Sequence, residues 1–251
     1  MLAARTERAR PARCWFLHLS VLMVLARGVS ALGQSAAPEH PVPAARPSIL
    51  PKACLEQSHP SEKITALLEA IHDHPTAGAY NTVGVLYAQG DRVWCAIKAF
   101  ETAIKLEDPN WEAHYNLAIA LISKGDQTEA TRELRTAIQQ KPDSVSSHFA
   151  LGNVLEDERK LGEAEEQFRS SLKLDPRFAP GALKLSEVLI AERKQHAAVD
   201  CLEEALRQNP SADQAGSLKA ALGLAYAENG EGEKDFSVIA LELERENDLA
   251  H

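Results

Sequence analysis

Aromatic residues are scarce in this chain, and the short motifs that mark common catalytic sites are missing. Phe, Trp and Tyr make up 5% of the 251 residues, whereas Ala, Leu and Glu are plentiful. This composition favours helices over strands, because aromatic and β-branched residues are the ones enriched in strands. No H-E-x-x-H, G-x-S-x-G, P-loop or C-x-x-C-H sequence occurs. The common hydrolase, nucleotide-binding and haem interpretations therefore lack support, and we expect no enzymatic activity and no cofactor.

Basic charge is also in deficit. The formal net charge is −9, from 27 Lys and Arg against 36 Asp and Glu. Five of the arginines and one glutamate lie in residues 1–33, so the rest of the chain holds 22 basic and 35 acidic residues, a net charge of −13. Such a surface repels phosphate backbones and anionic lipids. We therefore expect no nucleic-acid partner.

Long apolar runs are lacking, with one exception near the N-terminus. Residues 14–26 (CWFLHLSVLMVLA) form an uncharged run of thirteen that follows four arginines, and small residues stand at 29–31 and 31–33. The run is short for a bilayer span but suits the apolar core of a signal peptide. We interpret residues 1–33 as a signal peptide, which predicts a periplasmic or secreted protein. The alternatives are an uncleaved signal that anchors the chain in a membrane, and an organelle transit peptide or a wrongly assigned start.

Proline is concentrated directly after this segment. Residues 34–60 (QSAAPEHPVPAARPSILPKACLEQSHP) hold six of the thirteen prolines. Proline-rich stretches adopt extended conformations and act as stiff spacers. The sequence therefore predicts a tether over residues 34–60 that lies outside any packed core.

The later prolines recur at a fixed interval. With Pro180 set aside, the spacings are 34, 33, 34 and 34 residues between the members of the series Pro75, Pro109, Pro142, Pro176 and Pro210. A constant period of this length indicates stacked structural repeats. Each interval holds two apolar, periodic segments, and proline ends the second because it lacks an N–H and clashes with the preceding turn.

Small and bulky residues also recur once per interval. The first segments carry the small residues Gly84, Ala118, Gly152 and Ser186, and the second segments carry Ala96, Ala130, Ala164 and Ala198. Bulky residues follow three or four positions later at Tyr87, Leu121, Leu155 and Leu189 and at Phe100, Leu134, Phe168 and Leu202. These spacings place the small and bulky residues on one stripe of each helix. The small residues then allow the two helices to approach closely, and the large ones fill the gaps between neighbouring helices.

This pattern resembles the tetratricopeptide repeat (TPR) family. The resemblance implies an all-α, right-handed solenoid of stacked antiparallel helix pairs, with about ten helices including caps. We place four full units at 77–110, 111–144, 145–178 and 179–212, and a partial fifth at 216–230. Residues 61–76 are predicted to form an N-terminal capping helix, and residues 231–251 a C-terminal capping helix and tail. A polar terminal helix prevents a solenoid from polymerising, and we expect a monomer.

The acidic cluster Glu163, Glu165 and Glu166 lies in one of these units and could suggest acid–base catalysis. It begins the second helix of the third unit, where the helix N-terminus stabilises negative charge. Glu165 stands four residues before Arg169, a spacing that favours an ion pair on one helix face. A catalytic pair would need one carboxyl in a desolvated pocket, which nothing in the sequence supplies. We predict a solvated outer face.

The histidines raise the question of a metal site. His72 and His74 are two residues apart, so their side chains diverge on a helix, and Pro75 ends the segment. His114 and His148 occupy one slot in successive units, where the TPR family has tryptophan. Filling that slot is the simpler interpretation, and we expect no metal site.

The cysteines suggest a disulfide in an oxidising compartment. Cys54 precedes the predicted cap helix, and Cys95 starts the second helix of the first unit, so both lie at the same edge of the stack. We predict that they form a disulfide and that Cys201, two units away, is a free and partly packed thiol.

In the TPR family the first helices of successive units line a concave groove that binds peptides. Among the family's ligand-facing positions, our candidates for the groove are Asn81, Val85, Tyr115, Asn116, Ile119, Phe149, Asn153, Glu156, Lys184 and Glu187. Amide side chains both donate and accept hydrogen bonds, which suits an extended peptide backbone, and the two aromatic rings are predicted to offer exposed contact area. The basic clamp of the carboxylate-binding co-chaperones is not present, since Lys184 is the only cation in this set.

These observations predict a non-enzymatic scaffold that binds a protein or peptide in the groove, outside the cytoplasm. No small-molecule substrate is expected, and a membrane is involved only if the N-terminal segment stays uncleaved. The alternative is a structural subunit of a cell-envelope assembly or secretion complex that docks through its convex or end face. An enzyme is the weakest hypothesis, because the repeats and caps account for every residue past 60.

Overall fold

The computed structural model describes residues 50–55 and 62–228, and these ranges contain eleven α-helices. The helices are α1 (Lys52–Leu55), α2 (Glu62–Asp73), α3 (Ala77–Gln89), α4 (Val93–Leu106), α5 (Trp111–Lys124), α6 (Gln127–Gln140), α7 (Val145–Asp157), α8 (Leu161–Leu174), α9 (Ala179–Ala191), α10 (Gln195–Arg207) and α11 (Ala212–Glu228). Helices α3 to α10 form four pairs, here called repeats 1 to 4, and each helix packs against the next in the chain. The predicted all-α stack of helix pairs is confirmed.

Side chains just outside the helices determine where several of them begin. Four N-caps accept a hydrogen bond from the backbone N–H three residues ahead, over 3.0–3.4 Å: Thr76, Asn110, Asp126 and Ser144. A cap of this kind contributes about 1 kcal/mol. At the other end, each second helix stops two or three residues before a proline of the periodic series, which cannot continue it.

The turn inside each repeat needs one left-handed residue, and only one repeat supplies glycine there. Positive φ angles of 57°, 88°, 63° and 63° occur 34 residues apart at Asp91, Gly125, Arg159 and Arg193. Glycine adopts this region without steric cost, whereas other residues are strained in it. Gly90 stands one residue before the left-handed position and has a φ of −92°, so repeat 1 makes the same turn with Asp91.

In repeats 1 and 3, a glycine of the first helix faces a phenylalanine of the second. A Cβ atom on Gly84 would lie 2.5 Å from the Phe100 ring, and one on Gly152 would lie 2.6 Å from the Phe168 ring. Repeats 2 and 4 have a larger residue, Ala118 or Ser186, and a smaller partner, Leu134 or Leu202, all of them buried. Volume removed from one helix is thus restored on the other, as close packing requires.

The predicted tether is wrong for residues 50–55. Leu50 and Cys54 belong to the core, with 4% and 0% of their surface exposed. Cys54 forms a disulfide with Cys95, and the two Cα atoms are 5.6 Å apart. In addition, the Tyr87 hydroxyl donates to the Cys54 carbonyl at 2.6 Å, and Arg92 donates to the Ala53 carbonyl at 2.7 Å. The proline content suggested an extended chain, but these bonds hold the segment against repeat 1.

Helices flank the repeats at both ends. Helix α2 packs against α3, and α11 packs against α9 and α10 as the first helix of a further unit would. The predicted signal peptide (1–33) and C-terminal cap (231–251) lie outside the described residues, as does most of the predicted tether. Within the described ranges, every helix is too short or too polar to span a bilayer.

The acidic residues that begin α8 differ in environment. Glu163 and Glu166 are exposed, as predicted, but the Glu165 side chain is only 14% exposed. One of its oxygens accepts from Arg169 at 2.8 Å, four residues on, and the other accepts from Lys194 at 2.7 Å in repeat 4. The predicted ion pair between Glu165 and Arg169 is confirmed, but the carboxylate is less exposed than predicted, because Lys194 also binds it in a bridge between repeats.

This bridge predicts an acid-dependent loss of stability. The hydrogen bond from Lys194, reinforced by Arg169 and opposed by desolvation, lowers the pKa of Glu165 from 4.5 to about 2. Because the folded-state pKa is depressed, the stabilisation is present above pH 4.5 and is lost as the pH falls towards 2. We expect Glu165→Gln to unfold at lower urea concentration than wild type at about pH 6, with a smaller difference at about pH 3. The exposed Glu166→Gln is the control, and an equal effect at both pH values would contradict the prediction.

Candidate functional site

The first helices of the four repeats form one continuous surface. Contacts join α3 to α5, α5 to α7 and α7 to α9, so residues at equivalent positions follow one another along the stack. All ten predicted groove residues lie on these helices. We call this set the first-helix face, comprising Asn81, Val85, Tyr115, Asn116, Ile119, Phe149, Asn153, Glu156, Lys184 and Glu187.

Amide side chains recur along the first-helix face in repeats 1 to 3. The Asn116 side-chain N–H in repeat 2 donates a hydrogen bond to the side-chain oxygen (Oδ1) of Asn81 in repeat 1 at 3.0 Å. This bond fixes the two side chains relative to each other. Each amide has further donors and lone pairs, so the pair can still bind a peptide backbone. Asn153 in repeat 3 is half-buried, and within the described part of the chain its amide makes no hydrogen bond.

The two aromatic residues of the face are more enclosed than the sequence predicts. Phe149 is half-buried, with ring centroids 5.8 Å from Phe168 and 5.0 Å from Phe178, the latter in an edge-to-face arrangement. Tyr115 is also half-buried, and burial raises its pKa to about 12. Val85 and Ile119 likewise pack against the core with part of their surface accessible. The expected exposed aromatic anchors are thus wrong, because the rings take part in packing within the stack.

Charged residues of the face cluster in repeats 3 and 4. Lys184 Nζ lies 2.7 Å from Glu187 on the same helix and 3.2 Å from Glu156 in the preceding repeat. Desolvation opposes the protonated lysine, but the two carboxylates outweigh it and raise the pKa of Lys184. The lysine therefore stays charged and holds two carboxylates together, an arrangement that the sequence did not reveal.

In repeats 2 and 3 the histidine in the tryptophan slot bonds to a side chain 19 positions later, on the second helix of the same pair. His114 Nδ1 lies 2.6 Å from a Glu133 oxygen, and His148 Nδ1 lies 2.8 Å from the Gln167 side-chain oxygen. Desolvation acts to raise the pKa of Glu133, but hydrogen bonds from His114 and Arg132 outweigh it and lower the pKa. The described residues contain no group of three or more His, Cys, Asp or Glu that could hold a metal. Both histidines thus contribute to packing between helices.

Cys201 is a free, half-buried thiol, as predicted, and burial raises its pKa to about 11. A thiol is a poor nucleophile when its pKa is raised, because only the thiolate reacts. Its sulfur faces the Ala182 carbonyl at 3.9 Å, again 19 residues away. Cys201 stands at the position that Glu133 and Gln167 hold in the preceding repeats, where the side chain contacts the first helix of the pair. We therefore infer that Cys201 serves the packing of the two helices.

Comparison with protein families identifies TPR repeats in the middle of the chain. A family model for the TPR repeat matches residues 120–158, and a tetratricopeptide repeat model matches residues 145–178. The chain therefore contains TPR repeats. A comparison with curated protein sequences finds no match.

Several solved structures share the fold, and one of them is described as a TPR protein. YrrB, described as a TPR protein with an unusual peptide-binding site, superposes with a TM-score of 0.58 at 17% identity, over 75% of this chain and 95% of YrrB. PilF of Pseudomonas aeruginosa gives 0.59 at 23% identity, over 72% and 81% of the two chains. MamA of Desulfovibrio magneticus RS-1 gives 0.55 at 19% identity, over 64% and 92%. At these identities the likeness shows the fold.

Proposed function

We propose that this chain is a non-enzymatic interaction scaffold that binds an extended segment of a protein partner along the first-helix face. The observation that carries the proposal is the Asn116–Asn81 hydrogen bond, which joins two repeats and leaves further donors and acceptors beside the half-buried Val85 and Ile119. Paired amides can bind a peptide backbone, and partly accessible aliphatic groups can bind its side chains. The TPR repeats and the peptide-binding site named for YrrB support this function.

We also propose that the protein acts outside the cytoplasm, in the periplasm or as a secreted monomer. The Cys54–Cys95 disulfide supports this location, because structural disulfides persist in oxidising compartments. The uncharged run 14–26 behind four arginines supports export. The N-terminal mass of the protein from its native host tests the proposal, since a cleaved signal would remove residues 1–33.

The peptide-binding function predicts that the amides contribute to affinity. We would select binders from a displayed library of random peptides and measure their affinity by fluorescence anisotropy. Asn116→Ala and Asn153→Ala should each weaken binding about three- to tenfold, the effect of losing one or two hydrogen bonds. The matched control is Gln139→Ala, which removes an exposed amide from α6 in repeat 2, outside the first-helix face. A library without binders, or equal affinity for all these variants, would contradict the proposed function.

A second candidate function, a structural subunit that docks through its end, is favoured by one observation. Trp94 and Leu55 flank the two disulfide cysteines and are 49% and 40% exposed. Large apolar side chains left exposed at one end of a stack can contact another protein. Stable co-purification with a membrane component, unaffected by Asn116→Ala, would favour this role over peptide binding.

A further inference from the structure

We propose that a cavity between the second helices of repeats 2 and 3 binds a carboxylate group, presented by a glutamate side chain of a partner protein. The cavity has a volume of about 420 Å³, and its lining includes Thr131, Arg132, Arg135, Glu158 and Lys160. It lies on α6 and on the turn before α8, outside the first-helix face, so the inference does not depend on the proposed function. The two arginines and the lysine are exposed, which leaves the cavity accessible from solvent.

The equivalent place between repeats 3 and 4 already holds a carboxylate. There, Glu165 accepts hydrogen bonds from Arg169 at 2.8 Å and from Lys194 at 2.7 Å. The residues 34 positions before these three, one repeat earlier, line the cavity: Thr131, Arg135 and Lys160. Both cations thus recur between repeats 2 and 3, but threonine replaces the glutamate that they would hold. The cavity is the place that this carboxylate would fill.

The Thr131 hydroxyl lacks a partner. Thr131 is 8% exposed, and its buried Oγ1 atom makes no hydrogen bond within the described part of the chain. Thr102 and Thr136, on the same kind of helix, instead donate to the backbone carbonyl four residues earlier. A buried hydroxyl without a hydrogen bond is unfavourable. Its position beside the cavity indicates that an acceptor is missing there, and a carboxylate oxygen is a strong acceptor.

Lys160 can bind a second carboxylate. Its Nζ atom lies 2.7 Å from Glu158 on the same turn. Its equivalent, Lys194, makes the corresponding contact with Glu192 at 3.0 Å and also binds Glu165 at 2.7 Å. An ammonium group has three donors, so the contact with Glu158 leaves donors for a ligand.

Arg135 also has donors for a ligand. It donates to Glu163 through Nη2 at 3.1 Å, and the two side chains are 57% and 51% exposed, so this pair is weak. Arg169 binds Glu165 through its Nε atom. The Nε atom of Arg135 makes no hydrogen bond to any described residue, and it can therefore bind a carboxylate in the same way.

The surroundings of the cavity are not basic overall. Four carboxylates stand near it, and each already contacts a cation: Glu129, Glu133, Glu158 and Glu163. Recognition therefore depends on where the donors lie and not on an excess of positive charge. Glu165 shows that position is sufficient, because it shares Lys194 with Glu192 and the hydrogen bond from Lys194 still lowers the pKa of Glu165 to about 2.

A charged side chain at position 131 tests the site without a ligand. Thr131→Glu places a carboxylate where repeat 3 has Glu165, and Thr131→Gln is the matched control, with the same shape and no charge. We expect Thr131→Glu to unfold at higher urea concentration than Thr131→Gln at about pH 6, with a smaller difference at about pH 3, where the carboxylate becomes protonated. An equal or lower midpoint for Thr131→Glu at the higher pH would show that the neighbouring carboxylates repel another one, and would overturn the inference.

A nuclear magnetic resonance titration of the full chain tests binding itself. The probes are two capped alanine pentapeptides with glutamate or glutamine at the central position. We expect the glutamate peptide to bind with a Kd of about 1–10 mM, at least about tenfold more tightly than the glutamine peptide, and to shift the amide signals around Thr131 and Lys160. Equal binding of the two peptides would overturn the inference.

Variants and a free acid complete the test. Lys160→Gln should weaken binding of the glutamate peptide about three- to tenfold, and Thr131→Glu should abolish it because its own carboxylate fills the cavity. Lys105→Gln, which removes an exposed cation of α4, is the control and should leave the affinity unchanged. If glutarate binds about tenfold more tightly than the glutamate peptide, the site takes a free acid, and the assignment to a protein partner is wrong. Circular dichroism shows whether each variant is folded, and the wild-type titrations test the inference even if one is not.

Discussion

Phe168→Ala should lower the free energy of unfolding by about 3–5 kcal/mol, the usual effect of removing a buried aromatic ring. Phe168 is fully buried in repeat 3, where its ring fills the space opposite Gly152 and contacts Phe149. Because Gly152 has no side chain, it cannot itself fill the space that the ring leaves. Urea unfolding followed by circular dichroism at 222 nm would measure the change.

Phe149→Ala is the matched control for this experiment. Its ring belongs to the same cluster but is half-buried, so its removal should cost less than the removal of Phe168. An equal loss for the two variants would contradict the assignment of Phe168 as the residue that fills the interhelical space.

The opposing glycine provides a second measurement of the same contact. Gly152→Ala should destabilise the protein by about 1–2 kcal/mol, because overpacking outweighs the gain in helix propensity. Gly216→Ala should instead stabilise it by about 0.5–1 kcal/mol, since no atom lies within 4 Å of the added Cβ in α11. Adding Phe168→Leu to Gly152→Ala recreates the Ala118 and Leu134 pair of repeat 2, and we expect the double variant to recover part of the loss.

The fold could be predicted because the signals that define it repeat. Proline recurs five times at a nearly constant interval, and a small residue opposes a large one in four helix pairs. Chance agreement at one position therefore does not mislead the alignment. The pattern is informative because the size of the residue on one helix limits the size of the residue that faces it on the other. The pairs Gly84 with Phe100 and Gly152 with Phe168 are examples. The left-handed position in each turn was harder to predict. Arg159 and Arg193 stand there in repeats 3 and 4, whereas a glycine would have marked the position.

The polar contacts were harder to predict, because they depend on where neighbouring side chains point. Lys184 occupies a ligand-facing position in the sequence, but its role as a bridge between repeats depends on Glu156, which is 28 residues away. The histidine slots did carry a signal, since His114 and His148 each have a polar partner 19 residues later. The same offset leads from Ala182 to Cys201, so this spacing reports the contact between the two helices of a pair.

Residues 50–55 show how composition can mislead. Six prolines in residues 34–60 predict an extended chain, and the average over that window hides the apolar Leu50 and the position of Cys54. Burial of these two residues, together with the Tyr87 and Arg92 hydrogen bonds, outweighs the extended preference locally. A single long-range covalent bond can thus bring a segment into the core that its local sequence would leave outside.

Reduction of the Cys54–Cys95 disulfide should destabilise the protein by up to about 4 kcal/mol. The two cysteines are 41 residues apart, and closing a loop of this length removes about that much conformational entropy from the unfolded chain. The loss should be greatest in repeat 1, because a solenoid is stabilised by contacts between neighbouring repeats and can open from one end. Hydrogen exchange should therefore speed up in α3 and α4 on reduction and change little in α9 and α10.

Thiol counting and a cysteine variant check this prediction. The chain without residues 1–33 contains three cysteines and should titrate one thiol, Cys201, when it is unfolded without reductant. Cys95→Ser should lower the urea midpoint and become insensitive to reductant, whereas Cys201→Ser should keep the wild-type response. Three titratable thiols in the oxidised protein would contradict the pairing. An equal increase in hydrogen exchange across all four repeats would show that the stack unfolds as one unit, because the bond that joins Cys54 to repeat 1 would then stabilise every repeat alike.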